Sequence, residues 1–170
     1  HVFAAEPVAV QAMASRPAAD PRFAEIDASL AVTLKFPGER LAQFFCSFGS
    51  AETETIRIVG SRAELILDPA FKFDSVLQMT IRQPGHEQRQ SFRQVDHFAG
   101  QIAYFSECIL QDVPPEADGE EGLADMRVLL AIDQAAKTGE TVLLEPRVFG
   151  PGIDAKMRRH FSVTERRLLI

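Results

Sequence analysis

Asp96–Leu144 reads DHFAGQIAYFSECILQDVPPEADGEEGLADMRVLLAIDQAAKTGETVLL, and the architecture follows from it. Phe98, Ile102, Phe105 and Ile109 recur at helical spacing and form one apolar stripe, with Gln101, Ser106, Glu107 and Gln111 off it. Asp96 stands where a carboxylate can accept from the free N–H groups at a helix start. Pro114-Pro115 cannot continue a helix, so the first one is expected over about 97–111. The second, about 120–138, opens on acidic residues, carries Lys137 near its end and is followed by Gly139, all of which suit its dipole and its cap. Its apolar positions cover more than half the circumference, which predicts a mostly buried helix. Val142-Leu143-Leu144 reads as a strand that returns to a sheet.

Upstream the period changes from helical to two. Ile26, Ala28, Leu30, Val32, Leu34 and Phe36 alternate with Asp27, Ser29, Thr33 and Lys35, a strand with one apolar face. Pro37-Gly38 is a turn signal, and Leu41–Phe48 returns as the hairpin partner. Further strands are expected at Pro7–Ala14, Thr53–Val59, Ala63–Leu67, Val76–Arg82 and Glu87–Phe92, the last two joined at Pro84-Gly85. Strands grouped before helices and joined by short turns predict an α+β fold: one large, mostly antiparallel sheet of about seven or eight strands, with both helices on one face. Phe44, Phe45 and Phe48 place large apolar groups on both faces of the central hairpin. Helices cover only one face, so the other is expected to be covered by another domain or another copy of the chain.

The chain has 170 residues, of which 46% are hydrophobic, and a formal net charge of −6, enough length for a good core in one domain. There is no basic stripe with interleaved aromatics to meet nucleic acid, and no apolar run approaches the length of a bilayer span. Cys46 and Cys108 lie in apolar contexts and are read as free buried thiols; the compartment stays open, with the cytoplasm slightly favoured. The segment from Glu145 onward, with Pro146, Gly150, Pro151 and Gly152, reads as a tail after a domain spanning 1–144.

Motifs that carry chemistry are sparse. Gly150-x-Gly152 lacks the third glycine of a dinucleotide fingerprint, and no phosphate-cradling P-loop is present. The histidines show no metal-ligand spacing, and no serine lies in a nucleophile elbow. Asp96-His97 is compatible with a general base, but a cap beside a solvent-facing histidine is the commoner arrangement. Glu116, Asp118, Glu120 and Glu121 read as a solvated helix start, and Arg158-Arg159-His160 as solvated surface. Phe71-Lys72-Phe73 is the candidate substrate contact, with aromatic walls and a lysine to meet substrate oxygens; its competitor is a loop tip packed on its neighbours. No catalytic, cofactor-binding or metal-ligating residue is assigned.

The run Asp118-Gly119-Glu120-Glu121-Gly122-Leu123-Ala124-Asp125-Met126-Arg127, then Ala131-Ile132, then Thr138 through Leu144, resembles the closing segment of the glucose–fructose oxidoreductase/inositol dehydrogenase (Gfo/Idh/MocA) family. Asp96-His97-Phe98 with Gln101-Ile102 and Phe105 is similar to the helix before it. Glu6 through Val10, Phe36-Pro37-Gly38 with Leu41-Ala42, and Val59-Gly60-Ser61 through Leu67-Asp68-Pro69 resemble the rest of that family's C-terminal domain, in order. The glucose–fructose oxidoreductase-like branch is the nearest in pattern. The resemblance implies a substrate-binding and oligomerisation domain of an NAD(P)-dependent sugar or polyol oxidoreductase that associates through its open sheet face. The family's Rossmann domain and catalytic lysine belong to an N-terminal half. This chain opens on His1, so that half is expected upstream, and the chain alone is expected to be inactive. NAD or NADP is then expected in the full-length protein. The alternative is a stand-alone binding or assembly module without a Rossmann half.

Overall fold

A computed structural model of the chain describes residues 2–145 and residue 161. Its elements in order are β1 (Ala9–Ser15), a short 3-10 turn (Pro21–Phe23), β2 (Ser29–Phe36), β3 (Arg40–Ser47), β4 (Ile56–Val59), β5 (Glu64–Leu67), β6 (Leu77–Gln83), β7 (His86–Phe92), α1 (His97–Gln111), α2 (Gly119–Thr138) and β8 (Val142–Leu143). All the strands and both helices stand where the hydrophobic periods place them, and the class is α+β.

The expected single sheet is instead two. One four-stranded antiparallel sheet has the order β3-β2-β1-β8 and the other β4-β5-β6-β7. They belong to separate compact units, residues 2–50 with 114–145 and residues 51–113 with 161. The helices therefore do not share one sheet face: α2 belongs to the first unit and α1 to the second. Period-two patterning gives each strand two faces but does not say which strands pair, so the division was not readable from it.

In the first unit β1 pairs with β2 through Val10↔Leu34 and Ala12↔Val32, and β2 pairs with β3 through Leu34↔Ala42 and Val32↔Phe44. Val10, Ala12 and Val32 thereby share one face, where Ala131, Ile132 and Ala135 of α2 close the core. Alanine at 131 and 135 lets the helix backbone come near the sheet, and Ile132 fills the space between them. Leu30, Leu34, Val128 and Val142 pack around this centre. Only Ala131, Ile132 and Ala135 of α2 are buried. Leu123, Met126, Leu129 and Leu130 are more than half exposed, so α2 covers the sheet with one side and is not the mostly buried helix its composition predicts. Arg127 pairs with Glu6 at 3.6 Å and donates to the carbonyl of Glu145 at 2.9 Å, which ties α2 to the approaches of β1 and β8.

The second unit is a meander. Ile56↔Leu67↔Met79 and Ile58↔Leu65↔Ile81 make its apolar face, and Arg57, Glu64, Arg82, Glu87 and Arg89 stand on the other. Gly85, with φ +73°, supplies the left-handed residue of the β6–β7 turn, as the Pro84-Gly85 signal requires. The stripe expected on α1 forms, but Phe98, Ile102, Phe105 and Ile109 are all more than half exposed. Cys108 is buried and Cys46 is exposed, both as free thiols, so the expectation of burial fails for Cys46. The edge position of β3 leaves it open. Among the described residues no helix is long and apolar enough to cross a membrane.

Candidate functional site

Two surfaces carry the residues singled out by the sequence. The first is the loop between β5 and β6, which holds Phe71, Lys72 and Phe73. Phe71 and Phe73 are largely exposed, at 60% and 62%. Phe73 sets its ring edge-on to His97, with centroids 5.3 Å apart, and lies tilted toward Phe98 at 5.9 Å. Gln94 Nε2 donates to the Phe73 carbonyl at 3.1 Å and holds the loop's end. Phe73 is therefore anchored on the start of α1, and Phe71 is exposed.

Lys72 does not stand alone. Its ammonium donates to Glu52 Oε1. That hydrogen bond, with the lysine charge behind it, holds the Glu52 carboxyl below the usual glutamate range. Reciprocally, the Glu52 hydrogen bond is the main cause raising Lys72, and the charges of Glu52, Glu54 and Asp74 add to it against the cost of desolvation. Glu54 Oε2 and Ser75 Oγ are buried without a hydrogen-bond partner. Lysine has three donors, so the ammonium keeps N–H groups beyond the one given to Glu52. Exposed aromatic faces beside an ammonium–carboxylate pair offer stacking and paired donors and acceptors, the chemistry that suits a polyhydroxylated small molecule. Glu52 and Glu54 were missed in the sequence because a lysine's partners are set by folding, and Glu52 lies 20 residues away.

The other candidates take structural roles. Asp96 Oδ1 accepts from the N–H of Ala99 at 2.8 Å, so it is the cap of α1. His97 is exposed against Phe73. Asp118 Oδ1 accepts from the N–H groups of Glu120 and Glu121, both at 3.0 Å, and the acidic connector is a capped helix start. Arg158-Arg159-His160 and Gly150-x-Gly152 lie outside the described residues. Among the described residues no three His, Cys, Asp or Glu side chains converge to hold a metal ion.

The second surface is the face of the first sheet turned away from α2. Gln11, Thr33 and Gln43 form one row across it, and Met13, Ala31 and Phe45 the next. These residues line a shallow recess of about 460 Å³. Gln43 Nε2 donates to Thr33 Oγ1 at 3.2 Å and Gln11 Nε2 to Thr141 Oγ1 at 2.9 Å. Met13, Leu41, Phe45 and Leu143 are each more than half exposed on this side.

A nicotinamide dinucleotide does not fit the described residues. The strand pairings are all antiparallel, so no β-α-β unit presents a glycine-rich turn at a helix start. The glycines with positive φ, Gly38, Gly85 and Gly139, serve two hairpins and a helix C-cap.

Antiparallel sheets and capped helices define an α+β domain. The family is given by comparison with known proteins. The model of the GFO/IDH/MocA C-terminal domain matches residues 1–66. D-xylose 1-dehydrogenase (NADP+) of Haloarcula marismortui is 31% identical over 142 residues, 83% of this chain and 39% of that protein. The crystal structure of aldose-aldose oxidoreductase from Caulobacter crescentus, complexed with glycerol, aligns with a TM-score of 0.75 and 32% identity over 82% of this chain and 42% of that one. An oxidoreductase domain protein from Kribbella flavida shares the fold, with a TM-score of 0.66 at 16% identity over 85% of this chain and 46% of that one. The chain belongs to the GFO/IDH/MocA oxidoreductase family, as its C-terminal domain. It spans about two fifths of the length of that xylose dehydrogenase and of that aldose-aldose oxidoreductase.

Proposed function

We propose that residues 1–144 are the substrate-binding and oligomerisation domain of an NAD(P)-dependent sugar or polyol oxidoreductase, with 145–170 as a tail, and that the chain alone does not turn over substrate. The observation that carries this is similarity above 30% to an NADP+-dependent xylose dehydrogenase and an aldose oxidoreductase, running over four fifths of this chain. On this reading Phe71 and Phe73 wall the sugar while Lys72, held by Glu52, meets its hydroxyl oxygens. The open face of the first sheet, with Met13 and Phe45, is where a second copy stacks. NAD or NADP is bound by sequence outside the described residues. Free Cys46 and Cys108 accord with a reducing cytoplasm.

The test begins with peptide mapping of the polypeptide that native cells make. The same material is then assayed with aldoses and polyols for reduction of NAD+ or NADP+. Expected are peptides beyond this chain that carry a glycine-rich strand–helix start, together with aldose-dependent reduction. A mature product no longer than this chain, with sugar binding but no turnover, would make it a stand-alone binding module instead.

A further inference from the structure

The start of α1 is held from outside the helix as well as from within it. Asp96 accepts from the Ala99 N–H through its carboxylate at 2.8 Å, but its own N–H lies ahead of the first turn, where the helix supplies no acceptor. In a capping box a glutamate or glutamine at the third helical position reaches back to that amide. Here the third position is Ala99, whose side chain has no acceptor to offer. The acceptor comes instead from far along the sequence: Asp96 N–H donates to the Phe161 carbonyl at 3.0 Å. α2 meets the same need locally, since the Asp118 N–H donates to the carbonyl of Glu116, just upstream, at 3.1 Å. Phe161 is 37% exposed, so most of its surface is covered.

The stretch that Phe161 holds is the one that anchors the candidate substrate loop. Gln94 Nε2 donates to the Phe73 carbonyl at 3.1 Å, and the Phe73 ring meets His97 at 5.3 Å and Phe98 at 5.9 Å. Asp96 lies between these contacts in the sequence. A shift of the backbone at Asp96 therefore carries Gln94, His97 and Phe98 with it, and Phe73 follows. Two ring contacts and one amide hydrogen bond leave an exposed loop room to move, so a fixed helix start decides where Phe73 stands.

We propose that Phe161 is a positioning residue for the substrate loop. Its carbonyl, through the Asp96 N–H, fixes the start of α1 against Phe73 and so sets the affinity of the loop for sugar. This role rests on Phe71, Lys72 and Phe73 meeting the sugar, as proposed above.

Hydrogen exchange on the full chain reads the contact directly. The Asp96 amide is expected to be protected, and ending the chain at His160 should speed its exchange about threefold to tenfold, the effect of one hydrogen bond. Ala99, held by the Asp96 carboxylate, should keep its protection, and the nuclear Overhauser effect between the Phe73 and His97 rings should weaken. Should the shortened chain not fold, Asp96→Pro compared with Asp96→Ala isolates the N–H. Both lose the carboxylate, only the first loses the donor, and φ of −79° at Asp96 already suits proline. The role in binding is read in the full-length polypeptide of native cells, with D-glucose and D-xylose as probes. Ending it at His160 should raise KM about twofold to tenfold with kcat little changed, the pattern of lost substrate binding. Asp96→Pro should do the same relative to Asp96→Ala. Asp96 protection that survives the deletion overturns the contact and leaves the sugar reading standing. A KM that rises in Phe71→Ala but not in the deletion makes the contact merely structural and overturns the role of Phe161. A KM unmoved by Phe71→Ala, or no turnover of either probe, sinks the sugar reading and the role of Phe161 with it.

Discussion

Lys72 and Glu52 show how a side chain's chemistry depends on its partner. Glu52 is depressed by the lysine hydrogen bond and charge, so the pair's contribution is complete above the ordinary glutamate range and is lost as pH falls through the depressed value. Lys72 is raised, so on the alkaline side the contribution is complete below the ordinary lysine range and is lost as pH rises through the raised value. The pair should therefore hold across a window wider at both ends than free side chains would allow. Following the Lys72 side-chain NMR signals from acid to alkali checks this. In Glu52→Gln the lysine should titrate at lower pH than in the wild type, and an unchanged midpoint would mean the pair is absent in solution. At the start of α2, Asp118 accepts from two N–H groups that have no helical partner. Asp118→Ala should cost about 0.5–2 kcal/mol in chemical unfolding. Asp118→Asn, which keeps an acceptor, should cost far less.

The elements differ in what holds them. α2 is anchored by one side only, which gives a contrast within one helix. Ile132 is 5% exposed in the core, and Ile132→Ala should cost about 2–5 kcal/mol. Leu130 is 62% exposed two residues away, and Leu130→Ala should stay within about 0.5 kcal/mol of wild type. Equal losses in denaturant titrations would mean that the helix is rotated from the orientation described. The second sheet relies on charge across its open side. Arg57 donates to Glu64, Arg82 reaches both Glu64 and Glu87, and Arg89 binds Glu87. Both arginine hydrogen bonds pull Glu87 below the usual range, while Glu87 raises Arg82. These groups are exposed, so the ladder is sensitive to screening. Arg82→Gln should lower the melting temperature at low salt, and the difference should shrink at about 1 M salt, where charges are screened within about 3 Å.

For the whole molecule, exposed apolar surface is the main theme. Met13 at 79% and Phe45 at 64% on the open face, with Leu41 and Leu143, make more apolar exposure than a lone chain needs. Replacing Met13 and Phe45 together by glutamate should shift the sedimentation profile toward smaller species and leave the circular dichroism spectrum unchanged. The stripe on α1 and the outward side of α2 carry further exposed leucine, isoleucine and phenylalanine. The relatives are more than twice as long as the span they share with this chain.

By itself the sequence determined the elements, the class and the family. Strand and helix periods are local properties of side-chain spacing, and proline, glycine and capping aspartates mark ends through the backbone of a few neighbouring residues. Pro37-Gly38, Asp96, Asp118 and Gly139 were legible for that reason. Much of the candidate site was not. Lys72 was visible as a loop cation between two phenylalanines, but its pairing with Glu52 and the anchoring of Phe73 on His97 and Phe98 join segments that meet only when the chain folds. The pairing of strands into two sheets, the exposure of Cys46 at an edge and the half-covered state of α2 were likewise decided by tertiary structure. Each depends on which surfaces pack against which, and a residue's hydrophobicity says that it favours burial without saying what will bury it.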